Sequence, residues 1–77
     1  MKELVHVLVK AIVDEPSQVS IEEKVSPGGE FVYEVRVAPD DMGKVIGKQG
    51  RIVKAIRTVV KAAAAKAEKR ATVEVVQ

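Results

Sequence analysis

Apolar residues recur along this chain with two periods, and the switches between them mark out its elements. Leu4, Leu8, Ala11 and Ile12 follow the i, i+4, i+7, i+8 spacing of a helix face, with Glu3, His6 and Lys10 on the opposite side. Val5, Val7 and Val9 also alternate, which leaves a strand open. The length of the segment and its charged face favour a helix, ended by Pro16. Val19, Ile21 and Val25 then alternate with polar residues as a short strand, although Glu23 interrupts its apolar face. Ser26-Pro27-Gly28-Gly29 reads as a turn. Phe31, Tyr33, Val35 and Val37, alternating with Val32, Glu34 and Arg36, form the clearest strand of the chain. Two strands flanking a tight turn predict an antiparallel hairpin.

Pro39 stops the second strand. Asp40 and Asp41 suit the first turn of a helix, where negative charge is favourable. Met42, Val45 and Ile46 supply the apolar side of that helix, which is short and ends at Gly47. A longer helix runs from Arg51 to about Glu68. Its core stripe is read as Ile52, Ile56, Val59 and Ala63, widened by Val53, Val60, Ala64 and Ala67. The alanine run 62–65 belongs to this helix, because alanine has the best helix propensity. Ala71 to Val76 is a final strand. The order is α-β-β-α-α-β, and the helical crossover between the last two strands permits a parallel pair. The expected fold class is α+β: a three-stranded mixed sheet with helices packed on one face, as one domain over residues 1–77. No internal repeat, linker or low-complexity tail interrupts it.

Composition narrows the function classes. A domain of 77 residues buries only about 60% of the surface its unfolded chain exposes, so stability is modest. There is no cysteine, hence no disulfide or thiolate metal site, and the single histidine argues against a zinc centre. The first segment contains His6 and Lys10 and lacks a cleavage site. It is also too short to span a bilayer. A soluble, cytoplasmic protein with no membrane partner is expected. Phe31 and Tyr33 are the only aromatic residues, so base recognition cannot rest on a stacking platform.

The net charge is only +2, yet the charge is unevenly placed. Lys44, Lys48, Arg51, Lys54, Arg57 and Lys61 fall in a stretch with no acidic residue, and the last four share one side of the long helix. Within that stretch lies Val45-Ile46-Gly47-Lys48-Gln49-Gly50-Arg51-Ile52, two glycines around a two-residue loop between helices. Glycine tolerates positive φ and close backbone approach, and amides at a helix start lack intrahelical partners and can face an anion. Together they describe a clamp for a phosphodiester backbone. Lys44, Lys48, Arg51 and Lys54 are the candidate phosphate contacts. Val45, Ile46 and Ile52 are candidates for an apolar groove under the bases, shared with the core. Gly47, Lys48, Gln49 and Gly50 form the turn itself. Gly43 to Gln49 falls one residue short of a P-loop, and Gln49 stands where a magnesium-binding hydroxyl is needed. Asp40 and Asp41 read as helix-start residues rather than a metal or acid–base pair, and His6 as a surface residue. Ser17 and Ser20 have no histidine placed to activate them. No catalytic constellation, metal site or cofactor site is expected.

The Gly-x-x-Gly string resembles the signature of KH domains, which grip about four nucleotides of single-stranded nucleic acid. The element order resembles the type II KH fold. The stretch from Val37 to Ile52, Lys54-Ala55-Ile56-Arg57 and the following alanine run resemble the KhpA family of small bacterial single-KH-domain proteins. That resemblance implies a cytoplasmic protein binding single-stranded RNA as an RNA chaperone or post-transcriptional regulator. It also implies a heterodimer with a second KH protein of the KhpB (Jag) type, and a link to cell-wall homeostasis and cell length. A second reading stays open beside RNA binding. Ala55, Ala62, Ala63 and Ala64 place small residues on more than one side of the long helix, where another helix can approach closely, so the chain can act as a protein-interaction module. A weak homodimer, or the heterodimer, through this helix is expected.

Overall fold

The computed structural model describes residues 1–76. Its elements follow the expected order: α1 (Lys2–Lys10), β1 (Ser20–Val25), β2 (Phe31–Arg36), α2 (Met42–Ile46), α3 (Arg51–Lys66) and β3 (Ala71–Val75). Single 3-10 turns at Pro16–Gln18, Pro39–Asp41 and Lys48–Gly50 lead into β1, α2 and α3. The sheet order is β1-β2-β3, with β1 antiparallel and β3 parallel to β2. This is the mixed sheet expected from the hairpin and the helical crossover.

Strand alternation sets the two faces of the sheet. Ile21, Tyr33, Val35, Ala71 and Val73 are buried with Val5, Val9, Val45 and Val60 from the helices. The intervening residues form a charged open face. There Glu22 opposes Glu34, and the like charges are relieved by Lys24 at 3.2 Å from Glu34 and Arg36 at 3.8 Å from Glu22.

Glu23, the interruption in β1, sits opposite Tyr33 and accepts its hydroxyl hydrogen bond at 2.8 Å. Tyr33 is buried, and its phenol needs a polar partner at the edge of the core. Burial first, and then the hydrogen bond and negative charge of Glu23, push the Tyr33 pKa up to about 12.

Two helix faces differ from the sequence reading. In α1 the stripe is centred on the fully buried Val5 and Val9, while Leu4, Leu8 and Ile12 are half-buried and Ala11 is exposed. His6 lies at the margin of this stripe and is half-buried, with Nε2 enclosed and unpartnered among the described residues, rather than on the open surface. In α3 the buried residues are Val53, Ile56, Val60 and Ala64. Ile52 and Val59, read as core, are 38% and 45% exposed, and Ala67 is exposed. The stripe has turned because Ile56, Val60 and Ala64 meet the core cluster, and the apolar flank at Ile52 and Val59 has no neighbour to cover it.

Asp41 stands at the start of α2, as expected, but its side chain serves another purpose. Its carboxylate is 2% exposed, makes no capping bond to α2, and accepts the backbone N–H groups of Asp14 and Glu15, each at 3.1 Å. It ties the segment after α1 to the start of α2.

Candidate nucleic-acid interface

The turn between α2 and α3 is built from backbone that most residues avoid. Gly47 has φ 75°, Gln49 φ 59° and Gly50 φ 74°. The two glycines are needed for different reasons. A Cβ on Gly47 would lie 2.2 Å from Cγ1 of Ile52 and 2.9 Å from its backbone nitrogen, so both conformation and space require glycine there. At Gly50 the space is open, and only the left-handed backbone excludes a side chain. The turn is closed by Gly50 N–H donating to Gly47 O at 3.1 Å and by Arg51 N–H donating to Lys48 O. Gly47 N–H donates to Gly43 O, which ends α2.

This geometry brings most of the sequence-identified residues onto one surface. Lys48 and Gln49 project from the turn and are exposed, and Arg51 and Lys54 follow on the exposed flank of α3. No side chain caps the start of α3, although the Arg51 N–H is taken by Lys48 O. Arg51 reaches back to Gln49 Oε1 at 3.5 Å, a long contact that holds neither side chain firmly. Ile46 and Ile52, 37% and 38% exposed, flank the turn as apolar patches.

Three residues are placed otherwise. Val45 is fully buried and secures α2 on the core, so the apolar surface at the turn belongs to Ile46 and Ile52 alone. Lys44 is ion-paired with Asp14, and this hydrogen bond raises its pKa above the ordinary lysine value. Arg57 turns away from the exposed stripe: its Nε donates to Val73 O on β3 at 2.7 Å, half-buried between helix and strand. Asp14, as the partner of Lys44, went unread because nothing local in the sequence pairs residues thirty positions apart.

A second basic surface lies at the far end of α3. Lys61, Ala65, Lys69, Arg70, Ala71 and Glu30 line an open groove of about 300 Å³. Lys61 was visible in the helical stripe, whereas Lys69 and Arg70 adjoin in the short α3–β3 connection and have no periodicity to reveal them.

No three His, Cys, Asp or Glu side chains are grouped to hold a metal ion among the described residues. No described helix is long and apolar enough to cross a membrane.

Residues 2–75 match the family model described as the KhpA/KhpB KH domain. The chain is 54% identical over 76 residues to the RNA-binding protein KhpA of Clostridium perfringens, covering 99% of this chain and 100% of the relative. It is 43% identical over 77 residues to the RNA-binding protein KhpA of Listeria monocytogenes, covering the whole of both. Among solved structures it resembles Era in complex with MgGDPNP and nucleotides 1506–1542 of 16S ribosomal RNA, with a TM-score of 0.67 at 18% identity. A variant of Aquifex aeolicus Era bound to GDP·AlF4⁻ gives a TM-score of 0.64 at 19% identity. Each of these two matches covers 96% of this chain and 28% of the Era chain, so the likeness is one of fold to part of a longer protein.

Proposed function

The chain belongs to the KhpA/KhpB KH-domain family, a family of binding proteins and not of enzymes, and on that premise we propose that it binds single-stranded RNA in the cytoplasm by clamping the sugar-phosphate backbone at the Gly47–Gly50 turn. The observation that carries this reading is the turn itself: Gly47, pressed against Ile52, lets the backbone bend so that Lys48, Gln49 and Arg51 project together.

In this reading a phosphate approaches the start of α3, where the first-turn amides and the positive end of the helix dipole favour an anion. Lys48, Arg51 and Lys54 neutralise successive phosphates, and Lys44 joins them by exchanging Asp14 for RNA. Ile46 and Ile52 support the bases through van der Waals contact, and base edges are read by hydrogen bonds rather than by aromatic stacking. Such a site holds few nucleotides, with little base discrimination, as an RNA chaperone or post-transcriptional regulator requires. Changing Lys48 and Gln49 together to aspartate tests it. Both side chains are exposed, so circular dichroism is expected to be unchanged while RNA affinity measured by anisotropy is lost. An unaltered affinity in the folded double variant would overturn the clamp.

One further observation supports a protein partner alongside RNA. Ile52, Ala55, Val59 and Ala62 are all exposed on α3 and follow a 3-4-3 spacing, the seam by which one helix packs on another. In our reading this strip docks on a second copy or on a KhpB-type KH protein. Two modules on one strand then raise apparent affinity through effective concentration. Sedimentation across a wide concentration range, with and without Val59→Glu, tests the self-association.

A further inference from the structure

The groove at the far end of α3 is a second basic surface, and the clamp does not use it. Lys61 lies ten residues beyond Arg51, about 15 Å along the helix at 1.5 Å per residue. At about 100° per residue, Lys54 and Lys61 lie on the same flank of α3. Lys61 and Ala65 face Lys69, Arg70 and Ala71 across an open groove of about 300 Å³, with Glu30 as the one acid among the lining residues.

The side chains at this end are held in place without losing their charge. Arg70 donates through Nη2 to the carbonyl of Gly28 in the hairpin turn. The Lys69 ammonium sits 5.4 Å from the centre of the Phe31 ring. A carbonyl oxygen and an aromatic ring orient a cation but do not neutralise it. Lys44 is the contrast: its partner Asp14 is an anion. The connection therefore holds two oriented cations beside a third on the helix, in a groove open to solvent. Arg57, tied to Val73 O between the two ends, draws α3 against β3 and is turned from the exposed flank, which is left to Lys54 and Lys61.

We infer that Lys61, Lys69 and Arg70 form a second phosphate subsite, which takes the same RNA strand beyond the nucleotides held at the Gly47–Gly50 turn. The inference rests on the RNA-binding reading above and extends it from a short clamp to a path along the whole basic flank of α3. No aromatic ring lines the groove, and its charged side chains are Lys61, Lys69 and Arg70 beside Glu30, so what it offers a strand is positive charge for phosphate. Binding there is independent of sequence and adds affinity in proportion to strand length.

The test compares oligoribonucleotides of four and twelve residues, bound to the natural chain and to a Lys61→Gln/Lys69→Gln variant. Arg70 is left in place because it also braces the hairpin turn, and circular dichroism checks that the variant is folded. The tetramer is expected to bind both proteins equally. The twelve-mer is expected to bind the variant more weakly by about fivefold per lysine at 0.1 M salt, with the slope of log K against log[salt] shallower by about 0.7 per lysine. Longer strands also gain from multiple registers on the clamp, and the variant keeps that gain, so the difference between proteins isolates the subsite. If both proteins bind the twelve-mer with equal affinity and slope, the second subsite does not exist. If neither binds any RNA, the clamp reading fails first, and that result is distinct.

Discussion

The two exposed flanks of α3 are made of different material and teach different things. One carries Arg51, Lys54 and Lys61, and the other carries Ile52, Ala55, Val59 and Ala62. Between them the buried stripe of Val53, Ile56, Val60 and Ala64 fastens the helix to the sheet. The basic flank meets its ligand through charge, which is long-ranged, tolerant of position and sensitive to salt. The apolar flank can meet a ligand only by excluding water, which demands close shape and ignores salt. In the proposed reading such a helix holds RNA on one side and a protein on the other, with Ile52, next to the turn, as the residue the two surfaces share.

The largest effect separates the apolar flank from the core it adjoins. Val59→Asp and Val60→Asp are neighbours in sequence but opposite in kind. Val60 is fully buried, and an unpaired carboxylate there costs several kcal/mol. A chain of 77 residues has a total stability of only about 4–12 kcal/mol, so Val60→Asp is expected to unfold it. Val59→Asp changes an exposed site and is expected to cost within about 0.5 kcal/mol, leaving the fold intact and abolishing self-association. Thermal melts and sedimentation velocity read both. A folded Val60→Asp variant would mean that Val60 does not belong to the core stripe of α3.

Salt gives the next test and addresses both flanks at once. With Lys44, Lys48, Arg51 and Lys54 on phosphates, log K for a short RNA is expected to fall with log[salt] at a slope of roughly −3, at about −0.7 per contact. Lys48→Ala is expected to make it shallower by about one such unit. Self-association through Ile52 and Val59 should barely respond. A flat RNA curve, or a steep one for the dimer, would undo the division of labour between the flanks.

The contrast also explains what was legible in the sequence. Strand alternation, the Ser26–Gly29 turn and the two-glycine loop gave the topology, because each is a local signal. The basic flank was legible because charged residues have little reason to be anywhere but outside. The apolar flank was misplaced because Ile52 and Val59 share the helical period of Ile56, and periodicity does not tell a covered side from an open one. Only the core beneath α3 makes that choice, through Ile56, Val60 and Ala64. The same limit hid the role of Asp41, whose partners at Asp14 and Glu15 come from a different element, and the purpose of Glu23, which answers Tyr33 across a strand pair.

A smaller effect concerns the floor that both flanks share. Tyr33 has its pKa raised from 10.0 to about 12, so its neutral form is favoured in the folded state. The stabilisation is fully present below pH 10. It is lost as pH rises toward 12, because the unfolded chain gives up the proton first. Tyr33→Phe is expected to flatten the fall in melting temperature across that window. At neutral pH it should cost only about 0.5–1.5 kcal/mol for the lost hydrogen bond to Glu23.

The smallest effect lies at the margin of the basic flank, where Asp14 holds Lys44. An exposed ion pair of this kind is weak, so RNA can displace it at little cost. Asp14→Asn keeps the backbone N–H that donates to Asp41, and with it the tie between α1 and α2. It removes the competing anion and frees Lys44 for phosphate. Affinity for RNA is expected to rise a few-fold at most. The decisive comparison is a double-mutant cycle. If Asp14 restrains Lys44, then Lys44→Ala must cost more affinity in the Asp14→Asn background than in the natural chain. Equal costs in the two backgrounds would assign Lys44 to holding α2 against the segment after α1, and the phosphate path would begin at Lys48.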